Sequence, residues 1–385
     1  MRDVFVLGIG QTPVGEWWDR SLRDLAADAL QAAVTDAGVD LPQALFVANM
    51  LAARISNQTQ LGALIAGHVG WRGLEATTVE AACASGGVAI QAAVRAIASG
   101  VLDLVAVCGV EKMTDATGGP VTTALATAAD ADFEGAHGAT FVALNALIMR
   151  RYMHEHRVAH EAFAPFSLNA HANAVHNPGA MFRRAITMET WRRAPIISDP
   201  VNLFDSSPVA DGAAALILGS AELARASGQA PLRVLASACT TDSVDLASRG
   251  DPIDLHAARL SAQRACDQAG LVPGDMDVFE LHDAFSIMAA LSLEAAGFAK
   301  PGQATQLAAD GEISPQGRIP ICTLGGLKGR GHPVGATGVY QMVDLARQLR
   351  GDAGTAQVPG AAIGMAQNIG GTGATVVTHI LAADD

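Results

Sequence analysis

Three pairs of segments recur in the same order along this chain, and this repetition constrains the fold more tightly than any other feature. Residues 31–51, QAAVTDAGVDLPQALFVANML, can be laid beside 261–285, SAQRACDQAGLVPGDMDVFELHDAF. Each reads as a helix ending in Ala-Gly, a short Pro-containing loop and an apolar strand. CASGGVAIQAAVRAIASG (83–100) parallels HPVGATGVYQMVDLARQLRG (332–351), and DGAAALILGS (211–220) parallels GTGATVVTHI (371–380). A period of about two hundred residues is too long for a solenoid and fits two similar α/β domains facing each other. The first unit supports this. Val4–Leu7 reads as a strand, Gly8–Gly15 as a loop, Ser21–Ala37 as a helix stopped by Gly38, and LFVANML as a second strand. Such a βαβ order implies a parallel arrangement with helices laid against it.

The expected architecture is therefore a duplicated α/β fold, with central mixed sheets and flanking helices. Its domains span 1–228 and 229–385, and a loop domain of about 115–198 is inserted in the first. That insertion is basic. Between Arg150 and Arg193 stand seven Arg and three Glu, in a chain whose net charge is −13. Guanidinium forks suit phosphate oxygens, which marks Arg183 and Arg184 as candidate anion binders. The acidic total argues against a nucleic-acid binder. The five cysteines (Cys83, Cys108, Cys239, Cys266, Cys322) are scattered and form no CxxC. This disfavours a disulfide framework or a zinc site and favours a reducing, cytoplasmic setting. No stretch approaches the roughly 18 uninterrupted apolar residues of a membrane span.

Three residues carry candidate chemistry. Cys83, in VEAACASGG, lies between a strand-like run and a long helix. A thiol at a helix N-terminus feels partial positive charge, which favours the nucleophilic thiolate. His332 sits in GGLKGRGHPVGATG, where glycines and a proline fix one imidazole among turns. An imidazole near a thiol can take its proton. His282, in ELHDAF, ends an apparent central strand, where α/β folds present reactive groups. As a neutral ring it could donate to a thioester oxygen.

Taken together, ACASGG, SSPVADGAAALIL, HDAF and GGLKGRGHPVGATG resemble the thiolase family in content and order over nearly the full length. The HD of HDAF is similar to the archaeal and sterol-carrier-protein type, where other thiolases have NE. The resemblance implies a ping-pong acyltransferase of the acetyl-CoA C-acyltransferase kind. It casts Cys83 as acyl-thioester nucleophile, His332 as activating base and His282 as oxyanion donor. It implies substrate contacts at Arg183, Arg184, Gly331 and Gly370. Coenzyme A thioesters would be substrates, with no bound cofactor and no metal. A homodimer or homotetramer is implied, and so is a small zinc-ribbon/OB-fold protein as partner. The chain departs from the pattern at the second catalytic cysteine. Ala284 stands at the HDCF site and Asn368 at the C-terminal CxG site. Two alternatives follow: C-acyl transfer to a non-CoA acceptor, and a partner-dependent or non-catalytic subunit.

Overall fold

A computed structural model describes residues 2–116, 118–227 and 232–383. The strands are β1 (Val4–Gln11), β2 (Ala44–Ala48), β3 (Glu75–Val79), β4 (Leu104–Glu111), β5 (Ile196–Ser198), β6 (Val201–Asn202), β7 (Gly212–Ser220), β8 (Leu232–Thr241), β9 (Val278–Glu280), β10 (Ile363–Gly370) and β11 (Thr375–Ala383). β5 and β6 form a separate hairpin. The other nine run in the order β3-β2-β4-β7-β1-β8-β11-β10-β9. The order mirrors about its middle: β2-β4-β7-β1 answers β9-β10-β11-β8. The duplication is thus structural. β2 lies parallel to β3 and β4, and β9 parallel to β10, while the remaining neighbours are antiparallel. Within the sheet, two residue pairs of β1 and β8 join the halves among the described residues, Phe5 with Arg233 and Val6 with Leu232.

Both faces of the first-half sheet are covered. Val105 and Val107 of β4 enter one apolar cluster with Leu216 and Leu218 of β7. Their alternates Ala106, Cys108, Ala215 and Ile217 enter another, against the helix Leu22–Ala37. Burial on both faces explains why these strands read as continuous apolar runs. The outer helix starts at a capping box of Ser21 and Asp24 and stops at Gly38 in the left-handed region. The segment expected as a loop at Gly8–Gly15 is strand as far as Gln11. A Cβ at Gly8 would lie 2.3 Å from the Ala33 carbonyl oxygen, so glycine serves the close seating of the helix there. The opposite half carries the helix His256–Ala269 on β8 and β11 in the matching place.

Two helices fill the space between the halves. Ser85–Ala98 packs on β2 and β4 and reaches β8 and β11, while Thr337–Arg350 packs on β10 and reaches β7, β1 and β4. Ile90, Ile97, Val339 and Met342 are fully buried there. Burying a side chain of this size contributes about 1.5–3 kcal/mol.

The third matched pair of segments forms strands, with a register change. The ladders equate Gly212 with Thr375, because β10 returns into β11 through four residues, whereas the insertion separates β4 from β7. The insertion is not all loop. Its helices Phe141–His156 and Ala164–Ala174 share a core with Ile287 and Leu291 of the second half. The domain boundary expected at 228/229 lies outside the described residues.

The inner helices cross backbone to backbone at Gly338. A Cβ there would lie 2.3 Å from Asn368 Oδ1 and 2.4 Å from Gly87 N. Gly338→Ala is therefore expected to cost about 1–3 kcal/mol, read as a lower urea midpoint. An unchanged midpoint would show that the crossing is looser than described.

Candidate active site

The duplication places two equivalent helix starts face to face, and the sequence puts a thiol before one and an imidazole before the other. Cys83 precedes the helix Ser85–Ala98 by two residues, after Ala82 at φ 52°. His332 precedes Thr337–Arg350 and leaves the Gly325–Gly331 loop. His282 follows β9. The three reactive side chains are buried, and one ligand atom from each lies within 4.8 Å of the others. The two imidazoles meet edge to face, with centroids 5.2 Å apart. All three line one cavity of about 200 Å³, whose other walls include Met50, Met113, Phe141 and Met288.

Hydrogen bonds fix the state of each ring. His332 Nδ1 lies 2.6 Å from Thr337 Oγ1, whose own proton goes to the Pro333 carbonyl at 3.1 Å. The hydroxyl must then accept, so His332 carries its proton on Nδ1 and Nε2 keeps a lone pair. His282 is the reverse case. The Asn368 amide is oriented by the Gly87 N–H, which donates to Oδ1 at 3.0 Å. Asn368 Nδ2 then donates to the Cys83 carbonyl at 3.0 Å and faces His282 Nδ1 at 3.3 Å. His282 Nδ1 accepts, and its proton sits on Nε2. One ring is a base and the other a donor. A cysteine with two histidines also suits a metal ion, which would need a lone pair on Nε2 of both rings. The Asn368 donor disfavours that tautomer of His282.

Burial dominates the electrostatics. It pushes the Cys83 thiol up to about 12, with the Glu111 charge adding, against donors from the Cys83 and Gly371 backbone N–H groups. The thiolate expected from the helix N-terminus is thus outweighed at rest. Burial, with the Arg330 charge, holds His332 down at about 3. Burial, then His332, Lys328 and Arg330, holds His282 well below the usual imidazole range. The resting pair is thiol and neutral imidazole. Arg330 itself is buried, pairs with Asp344 and lies 5.1 Å over the Tyr340 ring. Lys328 Nζ donates to the Asp283 carbonyl at 2.7 Å.

Two residues hold the site together in a way the sequence did not show: Glu111, which it did not single out, and Asn368, which it marked only as standing in place of a cysteine. Glu111, at the end of β4, accepts from Asn49 Nδ2 at 2.8 Å, Met50 N at 2.9 Å, Leu51 N at 3.1 Å and Gly335 N at 3.0 Å. Burial pushes it up to about 7 against those donors. It clamps the loop after β2 to the loop that follows His332. A charged residue closing the all-apolar run LVAVCGV was the available signal. The other is Asn368. The SSPVADG motif is structural: Asp211 accepts from Thr114, Met113, Trp17 and Lys112.

The remaining expected contacts fall differently. Arg184 lines a second cavity, of about 540 Å³, that shares Ser206, Ser207 and Pro208 with the first. Arg183 is exposed and lines neither. Gly331 packs on Val14 and Gly370 on the Ala81 carbonyl, away from both cavities; Gly371 lines the first instead. Among the described residues, Cys83 is the one cysteine in the reactive cluster.

A duplicated α/β fold with one buried cysteine clustered with two histidines at the meeting of its halves is the arrangement of a cysteine enzyme. Family comparison makes this specific. Residues 4–222 match the thiolase N-terminal domain and 238–383 the thiolase C-terminal domain-like family. The acetyl-CoA acetyltransferase of Methanothermobacter thermautotrophicus is 44% identical over 99% of each chain, and that of Methanocaldococcus jannaschii 39% over 99% of each. The solved Ltp2-ChsH2(DUF35) aldolase is 25% identical, with TM-score 0.88 over 99% of this chain and 98% of that one. The chain belongs to the thiolase family and carries thiolase-type acyl-CoA acyltransferase chemistry with a single cysteine in its cluster.

The thiol–imidazole state has a pH signature. Iodoacetamide labelling of Cys83, followed on its peptide, is expected to rise about tenfold per pH unit from about pH 6 to about pH 9, because thiolate stays scarce below the raised pKa. A plateau near neutrality would mean a resting thiolate–imidazolium pair and would overturn this assignment.

Proposed function

We propose that the chain moves acyl groups between coenzyme A thioesters by a ping-pong route through an acyl-thioester on Cys83. The observation that carries this reading is the pair of ring contacts around one thiol, His332 Nδ1 with Thr337 Oγ1 and His282 Nδ1 with Asn368 Nδ2, from which opposite tautomers follow. His332 Nε2 takes the Cys83 proton as the sulfur attacks the thioester carbonyl. His282 Nε2–H donates to the developing oxyanion; loss of one such donor costs about 3–4 kcal/mol. The carbonyl re-forms, the C–S bond to coenzyme A breaks, and the leaving thiolate recovers the proton from His332. The acyl-enzyme then meets its acceptor.

Carbon–carbon bond formation needs a second proton removal. Asn368 has no basic atom, so His332 Nε2 serves that step as well, or the acceptor arrives already acidic. The name shared by the two archaeal relatives favours acetyl-CoA as both donor and acceptor. The groove beside Arg184 suits the phosphate-bearing end of coenzyme A, with Ser206–Pro208 between it and the thiol. Arg183 stands at its margin as a second cation.

A homodimer or homotetramer fits β3, an edge strand paired only with β2 among the described residues. The two-part name of the Ltp2-ChsH2(DUF35) aldolase supports a zinc-ribbon/OB-fold partner for this chain too. No helix among the described residues is long and apolar enough to cross a membrane, and all five cysteines are free, which suits a reducing cytoplasm.

Intact mass after brief incubation with acetyl-CoA tests the intermediate. The protein should gain one acetyl group and Cys83→Ala none. His332→Ala should slow acylation about 10²–10⁴-fold. No gain with any acyl-CoA would sink the stand-alone transferase and leave the partner-dependent subunit.

A further inference from the structure

Of the polar side chains in the cavity wall that acyl transfer at Cys83 does not use, Asn145 is the one with a buried atom that lacks a partner among the described residues. Asn145 lies in the first turns of Phe141–His156, is 2% exposed and lines the same cavity as Cys83, His282 and His332. Its Nδ2 donates to the Phe141 carbonyl at 2.9 Å. A carbonyl can only accept, so this bond fixes the amide orientation. Oδ1 is left on the other side, buried and with no partner.

The neighbours do not supply one. Phe141, Val142 and Met288 are apolar. The Ser206 hydroxyl gives its proton to the Leu203 carbonyl, and no donor among the described residues, the Thr140 hydroxyl included, lies within hydrogen-bonding reach of Oδ1. A buried acceptor without a donor is costly, and native interiors rarely keep one that nothing satisfies. A leucine would fill the volume without that cost. The acceptor is therefore satisfied by what fills the cavity: water at rest and, in the complex, a donor on the ligand that displaces that water.

We propose that Asn145 is a specificity residue whose Oδ1 accepts a hydrogen bond from the bound thioester, from either an acyl hydroxyl or an amide N–H of the thiol arm. The proposal rests on the acyl-transfer reading above. Asn145 takes no part in the bond changes at Cys83. It selects among thioesters by the donor they bring, because a ligand without one leaves the acceptor stranded.

The test times Cys83 acylation by intact mass with two matched pairs. The first is 3-hydroxybutyryl-CoA against butyryl-CoA. The second is the N-acetylcysteamine thioester of butyrate against an S-alkyl thioester of equal length without the amide. In the wild type, the donor-bearing member of one pair should react about ten- to hundredfold faster, and Asn145→Leu should erase that ratio. The responding pair identifies the source of the donor. If Asn145→Leu does not fold, Asn145→Ala is read the same way. Equal rates within both wild-type pairs, or a ratio that survives substitution, would overturn the proposal. Absence of acylation by every thioester, acetyl-CoA included, would instead sink the acyl-transfer reading.

Discussion

The Asn368 side chain lies where the two halves of the molecule meet, and its three hydrogen bonds constrain everything around it. Gly87 N–H is one of the orphan donors of a helix N-terminus, and Asn368 Oδ1 caps it from the opposite half. His379 Nε2, from β11, faces the Gly87 carbonyl at 3.1 Å. Both polar ends of one residue in the nucleophile's helix are thus held by the second half. The amide then has its Nδ2 turned toward the Cys83 carbonyl and His282. The contact that joins the halves also sets the proton on His282, so assembly of the fold and assembly of the site are one event.

Burial does the rest. In water a thiol and an imidazole would exchange a proton readily, but here each charged form is penalised. Cys83 is pushed up and His332 and His282 down, so the site rests neutral. Behind it lies a layer of buried charge. Lys328 and Arg330 alternate with His332 along one loop and pair with Asp283 and Asp344. Breaking such a pair by removing one partner typically costs about 3–5 kcal/mol. Burial first, then Arg330 for both rings and Lys328 for His282, keeps the imidazoles unprotonated. An enzyme arranged this way spends little on reorganisation before its substrate arrives.

Much of this was legible in the sequence, for physical reasons that differ by element. The duplication showed because helix caps, Pro loops and apolar strands leave local signatures in both copies. Cys83, His282 and His332 stood out because Gly-rich turns and strand ends surround them. The sequence was misleading where long-range geometry decides. Gly8 reads as a turn, yet it is strand, and its missing Cβ admits a helix. The basic insertion reads as a phosphate flap, yet Arg150, Arg151, Arg192 and Arg193 pair with Asp199, Glu155, Glu161 and Glu189. Arg183 and Arg184 have no ion-pair partner among the described residues. Composition counts charges and cannot say which are already spoken for.

Asn368 also bears on the missing second cysteine. A thiol at this position would offer only a weak donor and a weak acceptor on one atom, whereas the amide holds a strong donor and a strong acceptor on two atoms, toward His282 Nδ1 and the Gly87 N–H. In doing so the amide gives up any capacity to take a proton. The loss of a base and the gain of a fixed tautomer are therefore the same substitution seen from two sides. His332 keeps the lone pair that the proposed first proton transfer needs, its Nδ1 held by Thr337 at the start of the helix that follows it. With Asn368 unable to take a proton, a second proton removal in the proposed mechanism falls to His332 or is spared by an acceptor that arrives already acidic, and burial sets the cost of using His332 by penalising its imidazolium.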